Sequence, residues 1–176
     1  MLLHVIFGFS SALLWPCAGC RGASYSAQTV IPQKVPQDLK ITLERTGCFG
    51  ACPDYKLTIT ADGAVVFKGR QFVKQEGATI KSAISQERLK QLIAEFDKVR
   101  FFSLEDNYSD NRRVCDELWT DNPSAFTSIR INGKSKTIDH YHGCRGPKVP
   151  KELTELENKI DEIVNTAQWL PDEKGR

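Results

Sequence analysis

Between residues 38 and 170 two kinds of apolar periodicity alternate in a fixed order, and that order most restricts the folds open to this chain. "DLKITLER" sets Leu39, Ile41 and Leu43 against polar neighbours, and "YKLTIT" does the same with Tyr55, Leu57 and Ile59. Such period-two alternation puts one set of side chains on one face of a strand. "ADG" at 61–63 is a turn in which Gly63 can take positive φ, and "AVVFKG" returns as the partner strand. "RQFVKQEGATIKSAI" predicts one or two further strands, broken near Gly77.

The period then changes to that of a helix. Ser85 is placed as an N-cap, and Leu89, Leu92, Ile93, Phe96 and Val99 fall on one stripe that ends near Arg100, with "FFSL" as core packing beyond it. Residues 105–123 show no period, and a loop of that length in a compact domain is either functional or pinned. "SAFTSIRINGKSKTIDHYH" predicts a hairpin. With Ile129 facing Ile138 across "NGKS", the residues Ile129, Ile131, Ile138, His140 and His142 share one side of the sheet. "GCRGPKVP" is a loop, and a second amphipathic helix carries Leu153, Leu156, Ile160, Ile163 and Val164. The pattern predicts an α+β domain: an antiparallel sheet of about five to six strands with two amphipathic helices packed on one face.

The first nineteen residues hold no Lys, Arg, Asp or Glu, and "LLHVIFGFSSALLW" has the length of a signal-peptide core. The Cys17–Cys20 tetrapeptide that follows resembles the bacterial lipobox. Residues 1–19 are therefore expected to be a lipoprotein-type signal peptide, with Cys20 as the lipidated N-terminus. An ordinary cleaved secretory signal and an uncleaved anchor are the alternatives. Residues 20–37 are small, polar and proline-rich, the composition of a tether. Residues 38–170 form the single domain and 171–176 a tail. Arg21 rather than Asp follows Cys20, which favours anchoring to the outer membrane, with the domain in the periplasm. Lys and Arg number 24 against 22 Asp and Glu and form no run of four, a balance that argues against nucleic acid as a partner. The membrane is expected to be engaged through the N-terminal lipid alone.

Removal of Cys17 and lipidation of Cys20 leave four cysteines, Cys48, Cys52, Cys115 and Cys144. An even count in an oxidising compartment points to two disulfides, with all three pairings open. A Cys48–Cys52 bridge closes a small ring that constrains little. Bridges from that loop to Cys115 and Cys144 would close far longer loops, each worth about 3–4 kcal/mol in the chain-entropy model, and would pin the aperiodic loop. The alternative is a zinc site using Cys48, Cys52, His142 and Cys144, with Cys115 as another possible ligand. A thiol–redox pair is a further reading, although the spacing is CxxxC rather than CxxC. His140 or His142 beside Asp139 or Asp121, with Ser124, is the remaining catalytic possibility, and no established catalytic or nucleotide-binding motif accompanies it.

"RTGCFGACPDYKLTITADG", "TDNPS", "HYHGCRGP" and the closing helix with its tryptophan together resemble a family of exported or lipid-anchored bacterial domains of unknown function. The matching positions are Cys48, Gly50, Cys52, Pro53, Tyr55, Asp62, Gly63, Thr120, Asp121, Pro123, His140, Tyr141, Gly143, Cys144 and Trp169, spanning Leu39 to Trp169. The resemblance implies no activity. The expected function is a non-enzymatic binding or interaction module that needs no cofactor and meets a protein or small-molecule ligand in the envelope. Its surface is drawn from Phe49, Tyr55, Trp119, Asp121, His140, Tyr141 and His142. A metal- or thiol-dependent periplasmic enzyme using His140, His142 and Cys144 with Cys48 and Cys52, and a periplasmic hydrolase inhibitor, are the competing expectations.

Overall fold

A computed structural model describes residues 34–172. The signal peptide, Cys20, most of the tether and the end of the tail lie outside the described residues. Nine strands and two helices follow one another: β1 (Lys40–Arg45), β2 (Asp54–Thr60), β3 (Ala64–Gln71), β4 (Thr79–Ala83), α1 (Gln86–Lys98), β5 (Asn107–Tyr108), β6 (Glu117–Leu118), β7 (Ser124–Ile131), β8 (Lys134–Tyr141), β9 (Cys144–Arg145) and α2 (Lys151–Val164). Seven strands form one sheet in the order β4-β3-β2-β1-β7-β8-β5, and β6 pairs with β9 in a separate ribbon. The α+β expectation stands with a larger sheet than predicted. The added strand, β5, is a two-residue edge that runs parallel to β8. It lies in the stretch without period, where two residues leave no alternation to detect.

One face of the sheet is buried. Ile41, Leu43, Leu57, Ile59, Val65, Phe67, Ile129 and Ile138 all point into a core completed by Leu89, Leu92 and Phe96 of α1 and by Leu153, Leu156 and Ile160 of α2. Burying a side chain of this kind contributes about 1.5–3 kcal/mol. The opposite face carries Thr42 bonded to Ser128 and the Glu44–Lys56–Arg70 ion pairs, a half-exposed polar surface. Ser85 caps α1 by accepting from the Arg88 amide at 3.3 Å, as expected. Phe101 continues the core, whereas Phe102 is exposed. At the other end of the chain Trp169 packs on Phe67 with ring centroids 4.8 Å apart. Val35, in the stretch expected to be tether, is also buried.

The β7–β8 register differs from expectation. Ile129 lies opposite Lys136, and Thr127 lies opposite Ile138, two residues away from the predicted pairing. The turn is the two-residue Asn132–Gly133, both at positive φ, which matches the strand twist better than a four-residue loop. Asp38 secures it by accepting from the Asn132 and Gly133 amides at 3.0 and 2.8 Å. A slip of two residues preserves the faces, so Ile129, Ile138 and His140 still share the core side.

Candidate functional site

The strand registers align five residues in a row across the buried face. Tyr55 of β2 lies opposite Arg45 of β1, Arg45 opposite Ala125 of β7, Ala125 opposite His140 of β8, and His140 opposite Tyr108 of β5. Four of the five carry polar atoms, in a position where apolar side chains are the rule. Helix α2 answers them with Glu157 and Asp161, which are four residues apart and so share one face.

At one end of the row, Arg45 Nε donates to Asp161 Oδ2 at 2.8 Å and Arg45 Nη2 to Asn158 Oδ1 at 3.0 Å. The Tyr55 hydroxyl donates to Asp161 Oδ1 at 2.7 Å. Burial, reinforced by the Asp161 charge, pushes the Tyr55 phenol far above its ordinary range, so it stays a donor. At the other end, His140 Nδ1 lies 2.7 Å from Glu157 Oε1, and His142 Nε2 lies 3.0 Å from Glu157 Oε2. The two imidazoles stack with centroids 4.5 Å apart. Glu157 is 0% exposed and His140 2%. Burial pushes the Glu157 carboxyl up, but the hydrogen bond from His140 and the nearness of His142 outweigh it and hold the group below the usual carboxylate range. An ionised carboxylate only accepts, so the proton in the 2.7 Å bond resides on His140 Nδ1. The His142 contact is close but poorly aligned, and both His142 Nε2 and Glu157 Oε2 lack a hydrogen-bond partner among the described residues.

His140 and His142 also line a cleft of about 500 Å³ with Pro123, Gly146, Val149 and Thr154. Three loops frame this end of the molecule. The Phe49 amide donates to the Asp121 carbonyl, the Trp119 amide to the Gly143 carbonyl, and the Asp116 amide to the Arg145 carbonyl. Gly143 is required by close approach: a Cβ there would run into the Trp119 carbonyl and the Tyr141 ring. The Tyr141 hydroxyl donates to the Trp119 carbonyl at 2.6 Å, and Arg145 lies over the Trp119 ring at 4.7 Å.

The four cysteines form two disulfides, Cys48–Cys52 and Cys115–Cys144, with Cα atoms 5.5 and 5.1 Å apart. Neither of the long bridges from the Cys48/Cys52 loop weighed above forms: that loop is closed by the local clip, and the pinning of the 105–123 loop falls to Cys115–Cys144 alone. With every one of these sulfurs paired, Cys48, Cys52 and Cys144 present no thiolate, and the expected zinc ligand set with His142 is not assembled in this oxidised form. The expected surface also needs correction. Phe49 is 89% and Trp119 55% exposed, Asp121 is exposed, and Tyr141 and His142 are half-buried. Tyr55 and His140 are core residues, because their strand positions face α2 and their polar atoms are consumed there.

Glu157, Asp161 and Arg45 are the site residues that periodicity missed. Glu157 lies on the apolar stripe of α2 between Leu153, Leu156 and Ile160, and a charge in that place is the signal that could have found it.

The model of the domain of unknown function DUF6438 matches residues 39–164, so the chain belongs to that family. No curated protein matches it.

Proposed function

We propose that this member of a family without an assigned function is a binding module of the bacterial cell envelope, anchored through Cys20, whose recognition surface is the loop end of the sheet. The observation that carries the reading is the exposure of Phe49 and Trp119 on loops that two disulfides and cross-loop backbone bonds hold in place. Aromatic side chains presented on rigid loops bind at low entropic cost and dominate the energetics of interfaces. Asp121, Tyr141 and His142 supply polar contacts beside them, and the 500 Å³ cleft gives a small ligand or a side chain of a protein partner somewhere to sit. A photo-crosslinking residue placed at Ala51, beside Phe49, in the exported full chain tests this. A defined adduct that disappears in F49A/W119A at unchanged melting temperature is expected. An adduct pattern indifferent to the two aromatics would overturn the surface assignment. Anchoring is tested separately, by the intact mass of the membrane-extracted chain and its release from membranes in C20S.

A further inference from the structure

Of the His140–Glu157–His142 cluster only His142 belongs to the surface just described, and the cluster behind it holds an unsettled balance of polar atoms. A fully buried carboxylate has one oxygen satisfied by His140 Nδ1 while Glu157 Oε2 and His142 Nε2 stay buried without a hydrogen-bond partner among the described residues. Leaving such groups unpaired costs about 1–3 kcal/mol each. The Arg45–Asp161–Tyr55 half of the same helix face shows that this fold can give both oxygens of a half-buried carboxylate a donor.

We propose that His140 Nδ1, His142 Nε2 and Glu157 bind one divalent transition-metal ion, with Zn²⁺ the best-fitting occupant. Two imidazoles and a carboxylate are the donor set of zinc sites that keep an open position. The three donor atoms already lie within 4.8 Å of one another. Around a tetrahedral ion with bonds of about 2.0–2.1 Å, donors sit roughly 3.3 Å apart. His142 Nε2 and Glu157 Oε2, at 3.0 Å, therefore need to open by only about 0.3 Å, while His140 Nδ1, now 2.7 Å from the other oxygen Oε1, exchanges that contact for the ion. Binding replaces the proton on His140 Nδ1, which leaves to solvent, and gives Glu157 Oε2 and His142 Nε2 the partner they lack. The fourth position faces the cleft lined by His142 and Thr154, from which water or a small anion completes the shell; Arg145 and Lys151 at its lining favour the anion. This site shares no residue with the zinc set expected from the cysteines except His142.

The test uses the full chain with both disulfides intact, stripped with a chelator and titrated with Zn²⁺ against a chromophoric competitor. Co²⁺ substitution then reads coordination from its visible absorption. One ion per chain is expected. Loss even of a supporting partner lowers metal affinity about 10–100-fold, so H142A, which removes a ligand, is expected to weaken binding at least about 100-fold. E157Q should do the same. If E157Q unfolds, H142A still decides, because that side chain is 21% exposed and makes no aligned hydrogen bond. Folded native chain that takes up no stoichiometric Zn²⁺ or Co²⁺ at millimolar ion, or binding that survives H142A, would overturn the site and leave a purely protonic cluster.

Discussion

Helix α2 presents two carboxylates to the sheet one turn apart, and they end in opposite states. Asp161, whose side chain is 20% exposed, has a donor on each oxygen, from Arg45 and from Tyr55. Glu157, fully buried, has one well-aligned donor for two oxygens. Desolvation makes the deeper charge the more expensive one, so the deeper position should be the better paired. The reverse is found. Stability alone accounts for the Asp161 half, while the Glu157 half retains coordinating capacity beside a cleft.

The largest effect should come from H140A. It strips Glu157 of its one aligned bond inside the core, and breaking a buried pair in this way costs about 3–5 kcal/mol, measured by urea denaturation. A loss well under that range would mean that water reaches Glu157 and that the contrast is overstated. C115A/C144A should cost about 3–4 kcal/mol for opening a loop with a sequence separation of 29. Hydrogen exchange should then speed up at the Asp116 and Trp119 amides, next to the Glu157 half, before it does in β2. Y55F removes a hydrogen bond to an ionised carboxylate and should cost about 1.5–3 kcal/mol. Its pH dependence sharpens the comparison. The Tyr55 phenol is raised in the folded state above its ordinary 10.0, so its stabilisation is fully present below pH 10.0 and is lost as pH rises through the folded value. The stability gap between the native chain and Y55F should therefore be level from neutral pH to about 10 and narrow above it. H142A should be the mildest, at no more than about 1 kcal/mol, because the lost contact is not an aligned hydrogen bond. If H142A proved as damaging as H140A, the asymmetry within the Glu157 half would disappear.

Much of the fold was legible because it rests on local pattern. The hairpin at Asp62–Gly63, the Ser85 cap and both helical stripes depend on residues close in sequence. The polar layer was not, since it depends on which strand lies beside which. Arg45 and Asp161 are 116 residues apart, and neither belongs to a spacing that marks a pair. Glu157 was overlooked because the apolar residues around it complete a stripe without it. Tyr55 and His140 were identified as notable residues but assigned to the surface: alternation tells that they share a face with apolar neighbours, not that an acidic helix covers that face. The disulfide partners could not be chosen from spacing, as the loops carrying Cys115 and Cys144 meet through the β6–β9 ribbon, whose strands have two residues each.

The row from Tyr55 to Tyr108 also acts as a check on alignment. Sliding any of its strands by two residues leaves every apolar side chain on its proper face, so hydrophobic burial scarcely distinguishes the shifted sheet from the native one. The β7–β8 pairing that places Ile129 against Ile138 is such a slip, and it would bring Ala125 opposite His142 instead of His140. His140 would then no longer stand in line with Arg45, and the paired carboxylates of α2 could not both find their partners. The polar row thus penalises an error to which the greasy core is blind, and docking of the last helix verifies a sheet assembled from positions scattered between residues 45 and 140.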